Sequence, residues 1–138
     1  MKREFSAGGV VVRRMRGRPF AAVVRVRDEV FALPKGHPDE GESMVDAAAR
    51  EVREEAGIEA NLVEKLGDVR YWYTLKGERV LKVVSFYLFR YRSGSVQNHD
   101  FEVEEALWIP LEEAPKRLSY KGERDMAAAA LQRLTGAR

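Results

Sequence analysis

Two β-branched runs open the chain, residues 6–13, which include three consecutive valines, and residues 21–27. The segment between them is polar and carries Gly17, so the pair reads as two strands joined by a turn. Residues 31–33 form a short apolar run stopped by Pro34, which has no N–H to continue a ladder. The stretch 35–42, Lys-Gly-His-Pro-Asp-Glu-Gly-Glu, has turn composition throughout and predicts a loop. Val45, Ala48, Val52 and Ala56 then recur at helical spacing. Ser43 is placed to cap them, with Asp46 three residues on as a weak capping box, and Gly57 before Ile58 supplies a left-handed stop. The pattern predicts a helix over Met44–Ala56.

Residues 62–75 and 79–92 are rich in Val, Tyr, Phe and Leu around Lys76-Gly77-Glu78, which predicts a hairpin. A polar loop over 93–100 follows, then a last strand over 104–109 before Pro110, a short helix over 114–118 and a final helix over 125–134 with four consecutive alanines. Strands, helix, strands, helix is the order of an α/β (α+β) sandwich with a mixed sheet. No internal repeat or linker breaks it, and 138 residues suit one domain spanning 1–138.

Composition narrows the class. At 45% apolar and 33% charged residues, the chain is neither low-complexity nor disordered. It has no Cys, so disulfides, thiolate zinc sites and cysteine nucleophiles are excluded, and any metal must sit on oxygen or His ligands. No apolar run approaches the ~20 residues needed to span a bilayer, and the N-terminus leads into no signal-like apolar core; no membrane partner and a cytoplasmic location are expected. The net charge of +2 is too small to mark a nucleic-acid binder. Its distribution is uneven: residues 1–30 hold eight basic and three acidic side chains, residues 36–58 two basic and seven acidic.

That acidic segment carries the candidate chemistry. Glu51, Glu54 and Glu55 lie at i, i+3 and i+4, so they share one side of the predicted helix. Three close carboxylates repel unless a divalent cation sits among them, and hard oxygen ligands suit Mg²⁺, with Mn²⁺ as a substitute. For an isolated E-x-x-E-E, a solvated acidic face is the commoner reading.

The flanking residues decide between the two. From Gly36 the chain reads Gly, five residues, Glu42, seven residues, then Arg50-Glu-Val-Arg-Glu-Glu-Ala-Gly57-Ile58. This resembles the Nudix box, G-x5-E-x7-R-E-U-x-E-E-x-G-U with U apolar, at every specified position. Seven fixed identities match by chance at roughly 10⁻⁸ per starting position. The box covers 23 of 138 residues, and the order of elements around it is also similar to that of Nudix hydrolases. The resemblance implies an α/β/α sandwich and Mg²⁺-assisted hydrolysis of a nucleoside diphosphate linked to another group X. It also implies roles. Glu51, Glu55 and Glu54 would be metal ligands together with the Lys35 backbone carbonyl, and Arg50 would pair with a box carboxylate, Glu42 first, to hold it in place. A further carboxylate about six residues before a Trp serves family members as ligand or general base. Glu102 stands six before Trp108, Glu104 and Glu105 compete with it, and Glu51 is the other candidate base.

Substrate choice lies outside the box. Leu33-Pro-Lys-Gly-His37 resembles a lead-in found in Nudix hydrolases of diadenosine and diphosphoinositol polyphosphates, in which Lys35 and His37 would contact phosphate; a loop His in water is the plain alternative. Tyr71 and Tyr73 share one face of a strand, where aromatics can stack a purine, and Trp72 takes the other; one of these faces should be core. Lys82 interrupts an apolar strand, and by the resemblance would point to a polyphosphate. The segment from Arg117 resembles a stretch in which Tyr120 would cover a base. A diadenosine polyphosphate therefore ranks first as substrate, most similar to the bacterial diadenosine polyphosphate and nucleotide pyrophosphohydrolase branch. A nucleoside triphosphate of the 8-oxo-dGTP type ranks second, then a diphosphoinositol polyphosphate, whose extra cations are not evident. The arginines of 13–18 would suit an RNA 5′-pyrophosphohydrolase, but no aromatics interleave them, so nucleic acid is not the expected partner. A non-catalytic Nudix-fold sensor would be expected to lose box glutamates, and all three are present. The partner expected is a small nucleotide, bound by a monomer or homodimer.

Overall fold

The computed structural model describes residues 1–136; the last two residues of the expected domain lie outside it. Seven strands, β1 (Lys2–Met15), β2 (Arg18–Arg27), β3 (Val30–Ala32), β4 (Lys35–Gly36), β5 (Ile58–Leu75), β6 (Glu78–Gly94) and β7 (Glu105–Pro110), form one mixed sheet. Its main order is β3-β2-β1-β6-β5, with β4 added to β1 and β7 to β2. Only β1 and β6 run parallel. Helix α1 (Met44–Ala56) lies on one face, and a short α2 (Ala114–Arg117) and α3 (Lys121–Thr135) lie on the other. This is the helix–sheet–helix sandwich with a mixed sheet that the element order predicts.

The central strands show why the opening run reads as continuously apolar. Val10, Val12, Ala21 and Val23 face α3, while Ala7, Val11, Ala22 and Val24 face α1, so both sides of β1 and β2 are buried. Helix α1 contributes Ala47, Ala48, Val52 and Ala56 to its core, and Val45 is only half-buried. Ser43 caps the helix by accepting the Asp46 N–H at 3.1 Å. Gly57 ends it at φ +77, where a Cβ would lie 2.5 Å from the Ser95 carbonyl oxygen.

Several expected boundaries shift outward. β1 starts at Lys2 because its first residues pair in register with β6, Lys2 opposite Val80 and Glu4 opposite Lys82. The arginine-rich segment shrinks to a two-residue turn, Arg16 and Gly17, both with positive φ. β5 begins directly at Ile58, and α3 begins four residues earlier than the alanine run suggests. The expected core face of the Tyr71 to Tyr73 stretch does not exist. Beyond Val69, β5 is an outer strand with β6 as its only neighbour, so Tyr71 and Trp72 are both exposed, on opposite faces as alternation requires. Trp72 lies under the Arg79 guanidinium, 4.5 Å from the ring centre.

Candidate active site

Much of the acidic side of α1 is organised by Arg50. Its Nε and Nη2 donate to the two oxygens of Glu42 at 2.9 and 3.0 Å, the expected pairing made bidentate. Nη2 also donates to the His37 carbonyl at 2.9 Å, which fastens the loop over 37–42 to the helix. Nη1 donates to Glu51 at 3.1 Å and to Glu54 at 3.0 Å. These carboxylates hold the guanidinium firmly protonated, Glu42 most of all.

The three box glutamates sit in three environments. Glu51 is buried on the inner side of α1, Glu55 is half-buried, and Glu54 is exposed. Among the described residues, no three of His, Asp and Glu are drawn together closely enough to cage an ion unaided. The convergence expected from helical spacing is thus partial. Helix geometry puts the Cα atoms on one side, but Arg50 binds Glu51 and Glu54, and Glu55 turns to accept the Lys35 N–H at 3.2 Å. Burial pushes the Glu51 carboxyl up and the Glu55 carboxyl up to about 7, the neighbouring Glu54 and Glu51 charges adding in turn. Carboxylates whose charged form is so disfavoured, next to a backbone with no side chain in the way, fit a divalent cation. Gly36 supplies that gap: a Cβ there would fall 2.2 Å from Glu51 Oε2.

The loop between β6 and β7 closes the far side of this cluster. The Asp100 N–H donates to the Glu54 carbonyl at 2.9 Å, and the Asp100 carboxylate accepts the Glu102 N–H at 3.0 Å. Glu102 is exposed, and its charge helps raise Glu51. Glu104 and Glu105 are drawn elsewhere, both onto Arg25 of β2, Glu105 at 3.3 Å. Of the three late carboxylates, only Glu102 is free to face the box. Sequence reasoning missed Asp100, whose charge raises Glu55; its place two residues before Glu102 is the one available signal. Glu102→Gln is expected to lower turnover by at least ~10-fold, and Glu104→Gln by less than about twofold. Steady-state rates of the two variants check this, and the reverse order would remove Glu102 from the site.

On the α3 face of the sheet, an open cleft of about 730 Å³ runs between β5 and the start of α3, lined by Lys35, Val69, Tyr71, Phe86, Tyr120 and Met126 among others. Lys35, Tyr71 and Tyr120 of the expected substrate residues meet there. Lys35 belongs to both halves of the site, since its N–H reaches Glu55 while its ammonium lies 5.5 Å over the Tyr120 ring. Lys82 stands on the same strand rung as Tyr71 and Glu4, half-buried rather than stretched to water. Burial lowers its ammonium pKa, Glu4 acts in the opposite sense, and Lys35 is near enough to lower it further. Tyr73 is turned from the cleft to donate its hydroxyl to Glu4, which pushes its own pKa up to about 12. His37 is held against β1, its Nδ1 3.1 Å from the Phe5 carbonyl oxygen. Neither of these residues nor Lys82 lines the cleft.

The NUDIX domain family matches this chain over residues 3–130. The chain belongs to the Nudix family. Its box is the loop and helix just described, and Nudix hydrolases generally work with divalent metal ions. The chain is 40% identical over 134 residues to a putative mutator protein, MutT4, of Mycobacterium tuberculosis, with 92% of this chain and 54% of that protein covered. It is 35% identical over 104 residues to an 8-oxo-(d)GTP phosphatase of Mycolicibacterium smegmatis, covering 75% of this chain and 31% of that one. It therefore spans about half or less of those relatives. A solved Ap4A hydrolase binary complex from C. elegans superposes with a TM-score of 0.74 at 24% identity, covering 96% of this chain and 98% of that one, which shows the shared Nudix fold. Among the described residues, no helix is long and apolar enough to cross a membrane.

Proposed function

We propose that this Nudix domain hydrolyses a pyrophosphate bond of a nucleoside polyphosphate, with a dinucleoside polyphosphate first. The observation that carries the reading is Lys35. It joins an aromatic cleft, formed by Tyr71 and Tyr120, to the box glutamates through one residue's backbone and side chain. A base stacked in the cleft would send its phosphates past Lys35 and Lys82 toward Glu51, Glu54 and Glu55. Lys35 in the cleft and Lys82 on the rung of Tyr71 would give a chain of four phosphates two cations.

Bound Mg²⁺, with Mn²⁺ as substitute, would be held by Glu51, Glu54, Glu55 and the Lys35 carbonyl, and would neutralise phosphate charge and stabilise the leaving phosphate. The chain's own residues do the rest. Arg50 fixes Glu51 and Glu54, and the Lys35 N–H fixes Glu55. Glu102 or Glu51 takes the proton of the water that attacks phosphorus, the P–O–P bridge breaks, and the bridging oxygen leaves with the departing phosphate. A second reading, a nucleoside triphosphate of the 8-oxo-dGTP type, is favoured by the relatives named as a mutator protein and an 8-oxo-(d)GTP phosphatase. Three of the four arginines of 13–18 are engaged within the chain, Arg13 stacked on Tyr91 at 4.2 Å, Arg14 on the Gly17 carbonyl and Arg18 paired with Glu112, which weighs against an RNA reading.

A nucleotide panel with Mg²⁺ in ¹⁸O-water tests the assignment. Diadenosine tetraphosphate giving ATP and AMP supports the first reading, and 8-oxo-dGTP giving monophosphate and pyrophosphate the second. Lys82→Met keeps the apolar stem and removes the charge, so kcat/KM for the tetraphosphate is expected to fall roughly 10- to 100-fold, as for a lost charge-assisted contact. An unchanged value would withdraw Lys82 from the phosphate path and overturn the ranking of the tetraphosphate.

A further inference from the structure

Glu123 is the most deeply buried carboxylate among the described residues, 4% exposed, and nothing in the chemistry above uses it. As the third residue of α3, it stands where a glutamate ordinarily reaches back to cap its own helix, yet α3 has no side-chain cap. Its carboxylate goes instead to the corner between β3 and β4. Oε1 accepts the Leu33 N–H at 2.7 Å, and Oε2 pairs with the Lys35 ammonium at 2.8 Å. The approach depends on the preceding residue. Gly122 lies so close to β5 that a Cβ would be 2.3 Å from Val69 Cγ1.

The same corner is clamped from below, where the Gly9 N–H donates to the Pro34 carbonyl at 3.1 Å. Leu33, Pro34 and Lys35 are thereby gripped from β1 and from α3, and the next contact along is the Lys35 N–H on Glu55. The connected path runs from helix α3 through Glu123 and Lys35 to a box glutamate.

We propose that Glu123 is a positioning residue for the hydrolysis, holding the Lys35 ammonium at the reactive end of the cleft and the backbone that orients Glu55. The proposal rests on the reading of Lys35 as a phosphate contact. It carries an unusual signature. A carboxylate beside the ammonium weakens that ammonium's attraction for phosphate, so removing its charge should leave ground-state binding as tight or tighter while placement is lost.

Glu123→Gln keeps an acceptor for the Leu33 N–H and deletes the charge. Its kcat is expected to fall about 10-fold, as for a charged group displaced from its reactive position. The Kd for ATP, titrated in chelator, should stay level or tighten. With Lys35→Met already in place, Glu123→Gln should cost no further kcat. An unchanged kcat, a weakened ATP Kd, or the same loss in the Lys35→Met background would overturn the proposal, because a residue that merely supports the fold has no reason to act through Lys35. If Glu123→Gln does not fold, Glu123→Asp keeps the charge and shortens the arm by one methylene, so its kcat should fall about 10-fold through lost placement alone, and an unchanged kcat would overturn the proposal. Failure of the native chain to hydrolyse any of the panel would overturn the proposed activity instead. The positioning would then be read from hydrogen exchange, where Glu123→Ala should expose the Lys35 N–H at least ~10-fold faster than in the native chain. Unchanged protection of that N–H would overturn it.

Discussion

Glu51→Gln and Glu55→Gln are each expected to lower turnover by at least ~10²-fold with the fold intact, since each removes a negative oxygen from the proposed metal site and almost no volume. The structure makes this a clean substitution. Gln at 51 still offers an oxygen to Arg50, and Gln at 55 still accepts the Lys35 N–H, so the neighbours keep their partners. The melting temperature in chelator should stay level or rise, because burial disfavours the charge on both native carboxyls. Steady-state hydrolysis with Mg²⁺, paired with thermal unfolding, measures both. Near-native turnover in either variant would sink the site assignment, and collapse of the fold would show that these groups serve structure first.

Gly36→Ala should cost nearly as much without removing a charged group. The added Cβ would fall 2.2 Å from Glu51 Oε2 and 2.3 Å from its Cδ. The carboxylate is the free end of a side chain, so it is the part that gives way, and the backbone can stay. Moving a reacting constellation by about an ångström costs on the order of 10²-fold in rate, which sets the expected loss in kcat. Gly41→Ala is the control in the same loop. It has φ +78 but nothing within 4 Å, so it should strain the turn modestly and leave turnover near the native value. If both alanines behaved alike, the loss would come from backbone strain and not from the approach to Glu51.

Residue types and short-range spacing determined a good deal of this protein. The Nudix box lies within 23 consecutive residues, and its helix is specified by local features, namely the Ser43 cap, the alanine and valine stripe and the left-handed Gly57. The Arg50 to Glu42 pairing is equally local, eight residues apart across one loop and the first turns of α1. The mixed sheet and its two helical layers followed from the order of periodic segments, because each strand's apolar faces must be covered by something.

What tertiary structure alone decided is what arrives from far along the chain. Arg25 pairs with Glu104 and Glu105 and not with Glu102, a difference among three carboxylates that spacing to Trp108, which pointed to Glu102, does not itself explain. Glu4 takes the Tyr73 hydroxyl because β1 and β5 flank the same strand, 69 residues apart in sequence. The exposure of Tyr71 follows from β5 being an outer strand, which its own alternation does not encode. In the sequence Glu123 falls just before the helix predicted over 125–134, and nothing there marks it out. Only the close passage of Gly122 over Val69 carries it inside, 90 residues from Leu33, where a buried carboxylate must find partners and finds the Leu33 N–H and the Lys35 ammonium.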